Sequence, residues 1–309
     1  MNRQPCTSAF AYIKLSALAM SALLLSACLG GGQPVRPEAQ IRAENLLNRG
    51  VKAGMNNDMI EADRLFSESM DLSASIEDKP AMAMALINKA RICRLNQELG
   101  KADKTIDAAL ALIEADNAIF AEAAHEKALI ELALERVASA EKWALKAVQA
   151  EKGDETGRRL NLLARIKLGT ANRSGVETLL KKALASNAGQ NNEEAANSLR
   201  MLGILAREES NFNAASKHLT EALELDKTAA VSSKIALDLE ELALTCIKAG
   251  QGAAAVGYLQ RAYNVNLGAG RTDRAADNQR QLASIFESNG DRKNADAALK
   301  AAQELEQGK

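Results

Sequence analysis

The chain has 309 residues, 47% of them apolar but only 3% aromatic, so any core is built from Ala, Leu and Ile, and small residues of this kind suit closely packed helices. Formal net charge is −1, and neither that balance nor its distribution predicts nucleic-acid binding. Of the 4 prolines only Pro80 lies beyond residue 40, too little punctuation for a sheet-rich domain.

Residues 1–27 read as an address. Arg3 and Lys14 precede a run from Leu15 to Ala27 that is apolar apart from Ser16, Ser21 and Ser26, the layout of a secretory signal peptide. The run falls short of the ~20 residues a bilayer-spanning helix needs. It closes in Leu25-Ser26-Ala27-Cys28, which resembles the lipobox of bacterial lipoproteins. That resemblance implies cleavage before Cys28, lipidation (diacylglycerol, palmitate) of its thiol, and export to the periplasmic side. Members held in the inner membrane tend to carry Asp after the cysteine; Leu29 stands here, which implies the outer membrane. An ordinary signal peptide with a cysteine at its end is the competing reading. Residues 28–37, with Gly30, Gly31 and Gly32, suit a flexible tether.

From residue 38 to 309 one pattern recurs: a small residue in a first helix, then positions 12, 16 and 19 further on. The copies begin at Gly50 (Ala62, Phe66, Ser69), Ala90 (Ala102, Ile106, Ala109), Ala128 (Ala140, Ala144, Ala147) and Ala164 (Val176, Leu180, Ala183). Three more begin at Gly203 (Ala215, Leu219, Ala222), Ala243 (Ala255, Leu259, Ala262) and Ala283 (Ala295, Leu299, Ala302). The last three positions share one face of a second helix, and the gap of 12 spans a turn marked by Gly100, Gly175, Asn211 or Gly250. Each copy is therefore a helical hairpin. One hairpin cannot bury its apolar face alone, so the copies must stack.

Seven copies in register resemble the tetratricopeptide-repeat (TPR) family, which implies an all-α, right-handed solenoid of about seven TPR-like hairpins. The family's tryptophan and closing proline are missing, and the copies are spaced 36 to 40 residues apart against about 34 in the family. The extra residues are expected between hairpins, at Ser75–Asp78 and Asn187–Asn192. Other helical-hairpin solenoids share these offsets.

Chemistry-bearing residues are few. Cys93 and Cys246 each follow their repeat's small residue by 3, which places both on packing faces of distant units as buried free thiols. His125 and His218 sit in different units without a cysteine or histidine at ligand spacing, so no metal or other cofactor is expected. Glu193-Glu194 and Glu240-Glu241 are adjacent, so on a helix each pair diverges and reads as a solvated face. No phosphate-cradling glycine loop or serine nucleophile elbow is present. The expectation is a protein without catalytic activity or a small-molecule substrate.

A surface remains. In the TPR family first helices line a concave groove, and the resemblance places Asn88, Arg91, Arg94, Arg158, Asn161, Arg165, Asn197, Arg200 and Arg207 there. Guanidinium groups read carboxylates with two parallel hydrogen bonds, and Asn clamps an extended backbone. The set suits an acidic or carboxylate-ended protein segment, with Arg91, Arg165 and Arg200 forming a positive strip. Pairing of these arginines with Glu122, Glu126 and Glu208 is the alternative. The function expected is a protein–protein interaction scaffold in assembly of an envelope complex such as a pilus, secretion or outer-membrane protein machine. An accessory part of a peptidoglycan-modifying envelope enzyme, or that enzyme itself, competes with it.

Overall fold

The structure is a computed structural model that describes residues 36–170 and 173–307. The leader and Cys28 lie outside the described residues. Fourteen helices and no strands are found among the described residues, and they pair into seven antiparallel hairpins. The first four are α1 (Glu38–Met55) with α2 (Met59–Ala74), α3 (Lys79–Leu95) with α4 (Leu99–Leu110), α5 (Phe120–Ala133) with α6 (Val137–Ala150), and α7 (Thr156–Leu168) with α8 (Val176–Asn187). The last three are α9 (Asn192–Glu208) with α10 (Phe212–Thr228), α11 (Ser232–Lys248) with α12 (Gly252–Gly268), and α13 (Thr272–Ser288) with α14 (Arg292–Gln307).

The repeat register is a packing register. Ala90, Ala102, Ile106 and Ala109 of the second copy are fully buried, and the equivalent positions of the other copies are likewise in the core. The instructive exception is Leu299, which is 37% exposed because its helix, α14, has no hairpin beyond it among the described residues. Its counterparts Phe66, Ile106, Leu180, Leu219 and Leu259 are each covered by the hairpin that follows. Two first helices carry glycine where the others carry alanine. A Cβ on Gly50 would stand 2.6 Å from the Phe66 ring, and one on Gly203 would stand 2.6 Å from Leu219 Cγ, so glycine there lets a large residue lie against the helix.

Helices end in tight turns of one design. A residue in the left-handed region, such as Asn57, Gln97, Ser210, Gly250 or Gly290, reverses the chain, and the next N–H reaches back to close the last helical turn, as Gln251 does to the Cys246 carbonyl at 2.8 Å. Asp58, Asp78, Asn191 and Asn211 then cap the following helix by accepting a backbone N–H three residues on. The same turn joins helices within hairpins and between them. At Ser75–Asp78 and Asn187–Asn192 the long repeat period therefore does not come from long connections, contrary to expectation. Residues 75–78 and 188–191 are short turns, and the extra length sits in helices of 16 to 18 residues in the first hairpin and the last three. A longer connection occurs at residues 111–119.

First helices of successive hairpins touch one another from α1 through α11, whereas second helices mainly touch first helices. The stack is thus tighter on the first-helix side, which makes that side the inner, concave face.

Candidate functional site

The concave face holds a cavity of about 650 Å³ spanning four hairpins. Its walls come from α5 (His125, Leu129), α7 (Arg158, Asn161, Leu162, Arg165), α9 (Asn197, Arg200, Met201, Ile204) and α11 (Lys234, Leu237), with Glu193, Glu194 and Glu208 along α9. Residues three and four apart on each helix point to the same side, which is why Arg158, Leu162 and Arg165 arrive together from α7. A second concavity of about 460 Å³, lined by Val51, Met84, Arg91, Ile119, Glu122 and Arg159 among others, shares Arg158 with the first. Much of the larger cavity is aliphatic, a feature hidden among the many leucines of the sequence.

Of the nine residues expected to form a groove, five line the larger cavity: Arg158, Asn161, Arg165, Asn197 and Arg200. Asn88 and Arg91 line the smaller one. Most of the arginines are committed to acids of the next hairpin. Arg91 donates to Glu122 at 2.5 Å and to the fully buried Glu126 at 3.2 Å, and Arg94 donates to Glu126 at 2.6 Å. Arg158 bridges Glu122 at 2.5 Å and Glu155 at 2.6 Å. Arg207 is buried and bonds both the carboxylate and the backbone carbonyl of Glu241. Arg200 is also buried, held by Asp238 at 2.6 Å and by Asp226. The asparagines are engaged too. Asn88 donates to the Met84 carbonyl and accepts from Arg91; Asn161 donates to Glu194 and accepts from Ser198; Asn197 accepts from Arg200 and Lys234.

The expected positive strip of Arg91, Arg165 and Arg200 is therefore not a free charged surface. Arg91 and Arg200 are ion-paired parts of the contact between hairpins. Arg165 is different: it is exposed at the cavity wall and makes no hydrogen bond or ion pair among the described residues. The groove walls desolvate it and Arg94 repels it, which lowers its pKa from the usual arginine value, while Glu194 opposes the shift. An arginine so placed remains charged.

Three titratable groups show how strongly these contacts act. Burial pushes the Glu122 carboxyl up, but Arg159, Arg158 and Arg91 outweigh it and hold the group down at about 2. Burial and the same arginines push His125 down to about 2, so its ring is neutral. Burial raises Asp238 to about 7; Asp226 adds to the rise and Arg200 opposes it. Asp226 and Asp238 are both fully buried, and each has one carboxylate oxygen without a hydrogen-bond partner. Two carboxylates around one guanidinium share a proton more readily than both ionise.

Cys93 and Cys246 are buried and unbonded, and burial raises both thiols. Among the described residues no group of His, Cys, Asp and Glu gathers to hold a metal ion, and no helix is long and apolar enough to cross a membrane.

Comparison with known proteins gives the following likenesses. The family model "Soluble NSF attachment protein, SNAP" matches residues 166–308, from the end of α7 through the last hairpin. Among curated proteins no sequence matches. A Rap protein solved in complex with Competence and Sporulation Factor is similar at 15% identity over 86% of this chain and 78% of that one, with a TM-score of 0.63. A tetratricopeptide repeat protein from Parabacteroides merdae is similar at 15% identity, 85% and 99% coverage and a TM-score of 0.52. Pseudomonas aeruginosa pilF is similar at 15% identity, 75% and 95% coverage and a TM-score of 0.58.

Proposed function

We propose that this chain, a TPR-type helical-repeat solenoid suited to protein–protein interaction, is a lipid-anchored scaffold of the bacterial outer membrane, facing the periplasm, that holds an extended segment of a partner in its concave groove. The carrying observation is the cavity of about 650 Å³ across four hairpins, because an aliphatic lining edged by polar groups fits a polypeptide better than a small metabolite. A groove of this kind is largely preformed, since ion pairs between hairpins hold its walls. The likeness to a Rap protein solved in complex with Competence and Sporulation Factor supports the binding reading. Acidic or carboxylate-ended segments are the favoured partners, and no catalysis is assigned.

The anchor rests on Leu25-Ser26-Ala27-Cys28. A single acyl chain binds a membrane only marginally, so stable attachment needs the multiple chains of a lipoprotein. Cys28→Ser should block labelling by palmitate and shift the chain out of the outer-membrane fraction. Palmitate labelling or outer-membrane retention of that variant would overturn the anchor. For the binding half, Ile204→Asp, which puts a charge on the cavity wall, should remove partners captured by the wild type from the cross-linked envelope; unchanged capture would overturn the groove.

A further inference from the structure

Arg165 stands out within the cavity because its neighbours are saturated. Arg158 and Arg200, which line the same walls, are bound to acids, and Lys234 donates to Asn197 at 3.3 Å. Arg165 has no partner among the described residues, while Leu129, Leu162, Met201 and Ile204 line the same space. A guanidinium among aliphatic side chains gains more from an anion than one in open water, because the groove lowers the local dielectric. The acid that acts on it is Glu194, whose carboxylate is held by the Asn161 amide at 2.7 Å instead. Glu193, also on the wall, is exposed at the rim.

We infer that Arg165 is the specificity-determining residue of the groove: it reads one carboxylate on the bound segment with two parallel hydrogen bonds, while an aliphatic side chain next to that carboxylate settles against Leu129, Met201 and Ile204. This rests on the groove being the binding face. It narrows the partner to a segment in which a carboxylate adjoins an aliphatic residue, and it makes Glu194 a competitor whose negative charge weakens the anion's hold.

Three fluorescein-labelled octapeptides, titrated against the purified full chain by fluorescence anisotropy, test this. The first carries one Asp between leucines and an amidated end, the second has Asn in place of that Asp, and the third keeps the Asn but ends in Leu with a free carboxylate. Binding of the first or third peptide should exceed that of the second by about ten- to a hundredfold, the worth of one charged hydrogen-bond pair. Whichever carboxylate peptide binds tells whether the source is a side chain or a chain end. Arg165→Gln should remove the difference, Arg165→Lys should keep part of it, and Glu194→Gln should strengthen the carboxylate peptide. Equal binding of all three would leave the groove standing as a reader of backbone and aliphatic side chains but overturn the role of Arg165. Wild-type preference persisting in Arg165→Gln would do the same. Failure of every peptide to bind would overturn this inference, while the groove itself is judged separately by the Ile204→Asp capture. Circular dichroism of each variant checks that the exposed substitution leaves the fold intact.

Discussion

Asp238→Asn isolates the buried carboxylate pair that joins the fifth hairpin to the sixth. In the wild type the pair packs α9 (Arg200) against α10 (Asp226) and α11 (Asp238), with Lys234 of α11 nearby but bonded to Asn197. Burial raises Asp238 to about 7 from an ordinary 3.8, so the folded chain holds a proton that the unfolded chain releases. Stability from this group is then fullest below the unfolded value and is lost as pH rises through 7. Between pH 5 and pH 8 linkage puts the loss at about 2 to 3 kcal/mol, since a shift of one unit corresponds to about 1.4 kcal/mol. Asparagine mimics the protonated acid: its oxygen continues to accept from Arg200, and its amide donates toward the unpartnered oxygen of Asp226. Urea denaturation followed by circular dichroism at pH 5, 6, 7 and 8 should show wild-type stability falling with pH relative to the variant, which overtakes it near pH 8. His125, neutral in the folded chain but charged below about 6.5 once unfolded, makes both proteins gain stability as pH rises through that value, and this common gain cancels in the comparison. Parallel pH profiles for the two proteins would refute the shared proton.

Three further outcomes follow from the packing. Gly203→Ala should cost about 1 to 3 kcal/mol, since its Cβ would meet Leu219 at 2.6 Å and the Ala215 carbonyl at 3.2 Å, whereas Gly257→Ala on α12 meets nothing within 4 Å and should stabilise by about 0.5 to 1 kcal/mol. Denaturation midpoints of the two variants check both signs. Removing α13 and α14 should leave a folded, less stable stack because each hairpin contacts only its neighbours; loss of all helical signal at that first deletion would contradict it. Cys93 and Cys246 should react with a thiol reagent slowly in the native chain and fully in denaturant, and an intramolecular bond between them seen by mass spectrometry would contradict the linear stack.

The hairpin count, the small-residue register and the burial of both cysteines were legible because packing at a helix crossing admits few residue types, and the columns from Ala90 or Ala243 repeat that restriction. The helix lengths were not, since a turn closed by Asn57, Glu77 or Ala230 in the left-handed region carries no glycine to mark it. The groove residues were placed by the resemblance to the TPR family, but that resemblance says nothing of whether an arginine is already paired, and Glu122 and Glu126 decide that for Arg91, Arg94 and Arg158. A signal for the buried pair did exist. Asp226 and Asp238 lie 40 residues before Asn266 and Asn278, which bond to each other at 2.8 Å, so both columns are polar in consecutive repeats on faces otherwise apolar. Arg159, bonded to the carboxylates of Glu122 and Glu151, fills the same column two repeats earlier.

The concave groove is the proposed binding face. A photo-activated cross-linking residue placed at Ile204 on the cavity wall, and separately at the exposed Lys181 on second helix α8, tests it in intact cells. Discrete protein adducts are expected from position 204 that disappear when Arg165→Glu is added, and none of the same mass from position 181. Adducts from position 181 alone, or adducts from position 204 that are indifferent to Arg165→Glu, would contradict it.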